Sequence, residues 1–307
     1  MAHPLRRVLR PVAQSARLLS LHLDIGRFKW ANRFSARRVT SAEGPVVSIA
    51  TYGKRLETAY LTVESIARGS MRPARLLLWL DNPTEFANLP VELKRLEKRG
   101  LEVKLSDRNY GPHKKYFPYV ISRRIDNLAG VDGPLVTADD DILYPKDWLR
   151  GLAEAHNRAP NLVQCYRARV LQLTDSGLAP YASWELCRSA EPSALTFAIG
   201  VSGVIYPSPL LDALHNAGRA FEDLCPRADD LWLHVNALRG GFRVRQISEN
   251  PIHFPILPGT QADGLQQQNL HNDGNDAQAR KTYTDVDIEM LRSAMLRSAA
   301  EGAVLQK

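Results

Sequence analysis

The sequence predicts an α/β fold: one domain built on a mostly parallel sheet with helices on both faces. Three observations carry this. Short apolar, β-branched runs alternate with helical patterns over much of the chain. Polar and acidic residues gather just past the ends of those runs, where ligands of parallel sheets bind. The chain, 307 residues long, has ordinary apolar and charged fractions and is long enough for a sizeable core.

The elements follow in order. Val46 to Tyr52 is a β-branched run ending at Gly53, a buried strand. Leu56, Tyr60, Val63 and Ala67 are spaced for one helix face, which stops at Gly69. Arg75 to Leu80 is a second strand, closed by Asp81-Asn82-Pro83. A charged helix from about Val91 to Arg99 ends at Gly100, and Leu101 to Leu105 alternates as a third strand. Residues from Lys115 to Asn127 suit a helix. Leu135 to Ala138 is a short buried strand that runs straight into Asp139-Asp140-Asp141, after which Pro145 opens a helix. Further on, Leu231, Val235 and Leu238 share a face of a helix that begins behind Pro226 and closes at Gly240-Gly241. The final helix, Val286 to Ala299, is amphipathic and says nothing of function.

The net charge of +7 is not spread evenly. Residues 1–40 hold nine Lys or Arg against Asp24 alone, or +8; the other 31 basic and 32 acidic residues leave −1. The basic character thus belongs to an N-terminal arm, 1–44, and the body is neutral with no nucleic-acid signature. The arm has Leu18, Leu19, Leu21, Leu23, Phe28 and Trp30 among its arginines but no apolar run long enough to span a bilayer. It also lacks the apolar core of a signal peptide. A basic amphipathic arm of this kind suits either peripheral contact with an anionic membrane or packing on the body. Three scattered cysteines with no CxxC spacing point to a reducing compartment, so the expected location is cytoplasmic, at the inner face of the membrane if the arm binds there.

Three carboxylates on one strand end repel one another unless a cation sits among them. Mg²⁺ or Mn²⁺ prefers such hard oxygen ligands and keeps positions open for phosphate oxygens, so Asp139, Asp140 and Asp141 read as a metal–diphosphate site. A solvated turn capping the next helix would use the same residues. Thr51-Tyr52 and Asp81 sit at neighbouring strand ends and converge on the same crevice. Lys114 and Lys115, after the third strand, are cations for a diphosphate or a solvated turn. Asp229 and Asp230 open a helix, where acids favour the dipole, but two adjacent side chains point in different directions. Gly200 and Gly203 permit close approach of a ligand or mark a turn. Trp184 is a platform for a bound ring or a packing residue. No P-loop and no strand-linked G-x-G-x-x-G is present, and no Cys–His or Ser–His–Asp constellation competes.

This order of signals, from about Val46 to Ile247 with a weaker tail to Asp276, resembles the GT-A glycosyltransferases, most closely the bacterial family-2-like enzymes. Ile49 to Arg55 looks like the family's first strand and nucleotide-binding turn, which implies donor contacts by Thr51, Tyr52 and Arg55. Asp81 matches the acid that reads the base. Thr137 to Asp141 looks like the DxD motif, implying that Asp139 faces ribose and metal and Asp141 the metal. Asp229-Asp230 resembles the ED motif, whose second acid is the general base of inverting members; that role falls to Asp230, with Asp229 where the family more often has Glu. Some members use a late histidine as a metal ligand, which would be His253; a lone histidine also serves as a structural hydrogen-bonder.

The resemblance implies a GT-A domain over 45–250 with a lid loop and helix over 251–307, the lid running from Gly259 to about Asp276. It implies a nucleotide-sugar donor, UDP-sugar favoured, and transfer with inversion to a saccharide or lipid-linked acceptor in surface polysaccharide or glycolipid synthesis, using Mn²⁺ or Mg²⁺. A nucleotidyltransferase would need a longer Gly-rich, basic loop after the first strand than Gly53-Lys54-Arg55. A non-catalytic membrane-docking scaffold would rest on the basic arm alone.

Overall fold

The computed structural model describes residues 5–125, 133–260 and 274–304. The expected lid loop therefore lies, from 261 to 273, outside the described residues, as does the end of the helix expected to reach Asn127.

Seven strands form one sheet: β1 (Val46–Ala50), β2 (Leu76–Leu80), β3 (Leu101–Leu105), β4 (Leu135–Ala138), β5 (Val163–Cys165), and two later strands, β11 (Val204–Tyr206) and β12 (Val244–Gln246). Their spatial order is β12-β5-β11-β4-β1-β2-β3. β11 pairs antiparallel with both β4 and β5, while every other pairing in this sheet is parallel. Between them lie the short strands β6 (Ala168–Val170), β7 (Leu173–Thr174), β8 (Gly177–Leu178), β9 (Glu185–Leu186) and β10 (Thr196–Ala198), with β10-β6-β9 forming a small second sheet. This is the mostly parallel α/β architecture that the sequence predicts.

Position in the sheet explains each strand's composition. β2 lies between β1 and β3 under helices on both faces, so all five of its residues are buried and it reads as an unbroken apolar run. β3 is the edge strand: buried Leu101 and Val103 alternate with the more accessible Glu102 and Lys104, as in the sequence, and only Leu105 at its end departs by being exposed. Val47, Ile49, Leu76, Leu78, Val136 and Ala138 form the centre of one core layer with no accessible surface, each large side chain stabilising the fold by about 1.5–3 kcal/mol relative to exposure. Cys165, Cys187 and Cys225 are buried free thiols, which behave as small apolar groups.

The N-terminal arm is a long helix, α1 (Leu5–Phe34). Its later turns are fixed to the body. Phe28 packs with Leu61, Leu143 and Leu257, and Asn32 donates to Glu64 Oε1 at 3.3 Å and to the Glu92 carbonyl at 3.0 Å. Glu64, buried on α2 (Ala59–Ala67), is held in turn by Arg99 at 2.5 Å. Some boundaries differ from expectation. Pro145 does not open the helix after the acidic strand end; it lies in the preceding turn, and the helix runs Trp148–Arg158 with Trp148 N–H bonded to the Pro145 carbonyl. The helix expected from Lys115 begins instead as a 3₁₀ turn, Gly111–Lys115, followed by an α-helix, Phe117–Ile125.

Candidate active site

The carboxyl ends of β1, β2 and β4 meet the start of a later helix, α3 (Asp229–Arg239). β11 runs against its neighbours, so its entry turn, Gly200–Ser202, arrives at the same edge. Eleven predicted or candidate residues come together here, linked by three cations.

Lys114 is buried. Its Nζ lies 2.8 Å from Asp81 Oδ2 and donates to the Thr51 carbonyl at 3.2 Å, so it braces two strand ends from beneath instead of reaching into the crevice. Lys115 points the other way and is the hub: its Nζ lies 2.9 Å from Asp139 Oδ1 and 3.2 Å from Asp229 Oδ2. Arg55 Nη1 is 2.9 Å from Asp140 Oδ1, and its other terminal nitrogen pairs with Asp141, while the guanidinium stands 5.8 Å from the centre of the Tyr52 ring. Asp141 also accepts from the Thr260 hydroxyl at 3.3 Å, and its carbonyl accepts from Leu257 N–H at 2.7 Å. Asp230 accepts from Gly200 N–H at 3.3 Å.

The lysine turn is set by a residue whose chemistry the sequence did not flag. His113 is fully buried, stacked 4.1 Å from Phe221, with Nε2 donating to the Cys225 carbonyl at 2.8 Å and Nδ1 accepting from Tyr116 at 2.9 Å. Burial pushes its pKa down to about 4, so the ring is a neutral pin. It fastens the turn carrying Lys114 and Lys115 to the segment that leads into Asp229 and Asp230.

The electrostatics are unequal across the acids. Burial, then Asp229, push Asp230 up to about 8, with Lys115 and the Gly200 N–H pulling back. Burial also lifts Asp140 to about 6 despite Arg55. Asp141 is raised by burial and by Asp139. Six carboxylates (Asp81, Asp139, Asp140, Asp141, Asp229, Asp230) thus share three cations (Arg55, Lys114, Lys115), and Asp140 Oδ2 is buried with no hydrogen-bond partner among the described residues. This surplus of hard oxygen donors fits a divalent cation held by Asp139 and Asp141. Among the described residues no three His, Cys, Asp or Glu side chains form a ready-made ion cage.

One expectation is corrected, and of the two readings of Trp184 packing holds. His253 does not join these acids in such a group; its ring is exposed and its Nδ1 accepts from Arg167 Nη1 at 2.7 Å, which commits that lone pair and lowers its pKa after burial. Trp184 is no platform: it is 1% exposed, its Nε1 donates to the Ala179 carbonyl at 2.9 Å, and it packs on Tyr181 and Phe197. Tyr181, missed in the sequence because nothing in its spacing marks it, lies near Asp230 instead. Burial, then Asp230, push its phenol up to about 12, and the Arg169 guanidinium stands 5.2 Å from its ring centre. Thr260 falls in the expected lid segment, but its hydrogen bond to Asp141 had no mark of its own in the sequence.

No protein-family profile matches the chain, and no curated protein matches it. Among solved structures it is similar to S. aureus TarS 1-349, with 17% identity and a TM-score of 0.46 over 69% of this chain and 59% of that one. The same TarS segment in complex with UDP gives 13% identity and a TM-score of 0.43 over 69% and 59%. GalNAc-T7 with UDP, GalNAc and Mn2+ gives 13% identity and a TM-score of 0.43 over 72% of this chain and 46% of that one. The chain thus spans about half to three-fifths of the length of the structures it matches.

Proposed function

We propose that the chain is an inverting glycosyltransferase that moves a sugar from a nucleotide-sugar, a UDP-sugar by preference, to the hydroxyl of a saccharide or lipid-linked acceptor in surface polysaccharide or glycolipid synthesis. The observation that carries this reading is the Lys115 hub, which sets the acidic strand end and the acids of α3 side by side yet keeps them separate groups. Sugar transfer needs that division. The leaving diphosphate gains negative charge, and a Mn²⁺ or Mg²⁺ ion held by Asp139 and Asp141 would supply charge stabilisation there. Lys115 and Arg55 add fixed positive charge on the same side, and Tyr52 and Asp81 form the wall for the nucleoside; Thr51, expected to contact the donor, is fully buried and anchors Lys114 through its carbonyl. Asp230 takes the proton of the attacking hydroxyl as the new bond forms, with Gly200 N–H orienting its carboxylate. Asp229, tied to Lys115, holds the hub in place.

Calorimetric titration tests the reading: UDP, GDP, dTDP and CDP, each with Mn²⁺, with Mg²⁺ and with chelator, on the intact protein and on Asp141→Ala. Binding of one nucleoside diphosphate only with metal, lost in the variant, supports it. No binding of any nucleotide under any condition removes it.

A further inference from the structure

The final turns of α1 carry two apolar faces, and among the described residues only one has a partner. At about 100° per residue, Leu21, Ile25, Phe28 and Asn32 lie on one side of the helix, and Leu19, Leu23, Trp30 and Phe34 fall within an arc of about 60° on the opposite side. The first set is the face that docks on the body. The second is 54–64% exposed, residue by residue, which is unusual for two leucines and two aromatics in line. Trp30 and Phe34 lie against each other, ring centres 5.5 Å apart, and the Arg33 guanidinium stands 5.5 Å from the Phe34 ring centre. By the same rotation Arg27 and Arg33 flank the stripe on its two sides, and Arg27, Lys29 and Arg33 are all exposed. Asp24 is the single acid in residues 1–40.

An exposed apolar stripe edged by arginines matches a surface that is apolar beneath and anionic above. A protein partner would need a complementary acidic rim, whereas an anionic bilayer offers both layers everywhere. No helix among the described residues is long and apolar enough to cross a membrane. We infer that α1 lies in the interface of an anionic membrane through Leu19, Leu23, Trp30 and Phe34, with Arg27, Lys29 and Arg33 at the headgroups.

The consequence for the site rests on the glycosyltransferase reading; the docking itself does not. Phe28, on the inner face, packs against Leu143 and Leu257; Leu143 is two residues past Asp141, and Leu257 N–H binds the Asp141 carbonyl. The membrane-facing helix is therefore bolted directly to the acidic turn. A docked α1 holds the candidate active site at a fixed height over the bilayer, which suits a lipid-linked acceptor.

The test uses the intact protein, vesicles of phosphatidylcholine alone or with phosphatidylglycerol, and Trp30 as reporter. The chain has five tryptophans, and the other four are buried, so brominated lipid reads Trp30 almost alone. Expected are co-sedimentation with the anionic vesicles only, weakening with salt, and quenching of Trp30 fluorescence. Arg27→Glu/Arg33→Glu should weaken binding by about tenfold or more. Leu23→Ser/Phe34→Ser should do the same while UDP binding and the melting temperature stay unchanged. Failure of the intact protein to bind, or equal binding by both variants, overturns the inference. So does conversion of a dimer to a monomer by Leu23→Ser/Phe34→Ser without vesicle binding, because a second copy would then own the stripe. Loss of UDP binding with vesicle binding intact would count against the glycosyltransferase reading and leave the docking standing.

Discussion

In its proposed role as general base, Asp230 meets two demands that conflict. A general base must be free to ionise, yet this carboxyl is desolvated beside Asp229 and its pKa is pushed up to about 8. Two predictions follow from the sign of that shift. The base form fills as pH rises, so kcat/KM should climb through neutral pH toward a plateau above about pH 8, visible in a pH–rate profile. A raised carboxyl pKa also means the fold prefers the protonated form. Its contribution to stability is complete below the ordinary value of 3.8 and is lost as pH rises through the folded value near 8. Asp230→Asn should therefore melt above the parent protein at pH 8, with the gap closing toward pH 4 in a thermal scan. The same variant should lose about 10²- to 10⁴-fold in transfer rate while still binding UDP. The sequence placed this acid at a helix start but could not show its ionisation, which depends on burial and on Lys115, 115 positions away in the chain. His253 shows the opposite failure: its position after the last strand was legible, but a neighbouring arginine, not an acid, decides its role.

The entry turn of β11 separates space from conformation. A Cβ at Gly200 would lie 3.1 Å from Asp230 Oδ1 and 3.6 Å from Lys115 Nζ, contacts that side chains can relieve by moving. Gly200→Ala should keep the fold and lower kcat by about tenfold or more through a displaced base, read as a kcat loss with UDP affinity unchanged. Gly203 is different. Its φ is +92°, and a Cβ there would meet the Trp148 ring at 2.6 Å, a buried group with nowhere to go. Gly203→Ala should destabilise the protein by about 2 kcal/mol or more in urea unfolding, with activity falling only as the folded fraction falls. The elements themselves were largely legible, because apolar runs of β2 or β4 leave little choice. The reversed direction of β11 was not, since three apolar residues carry no mark of polarity along the chain.

At the scale of the molecule, charge is partitioned. The arm carries the positive excess, and among the described residues the crevice sets six carboxylates against Arg55, Lys114 and Lys115. Bringing in a diphosphate alone would add to the repulsion, so diphosphate and divalent cation should bind cooperatively. UDP with Mn²⁺ near 100 times the dissociation constant should add about 2.7 kcal/mol to stability, a rise of several degrees in the melting temperature. Chelator, or Asp141→Ala, should cancel that rise, and UDP without metal should give little of it. Arg55→Ala should make the protein depend more steeply on metal concentration, since Arg55 now balances Asp140 and Asp141.

The three thiols offer a clock for motions within this frame. Cys165, Cys187 and Cys225 are sealed from solvent, and burial raises the Cys225 thiol to about 11, so an alkylating reagent reaches them only when the structure opens. Cys225 is the informative one, because its own carbonyl is what His113 grips. Its labelling rate times the parting of the lysine turn from the base helix, and a ligand that spans both should slow that rate while leaving Cys165, deep in β5, to report global unfolding alone.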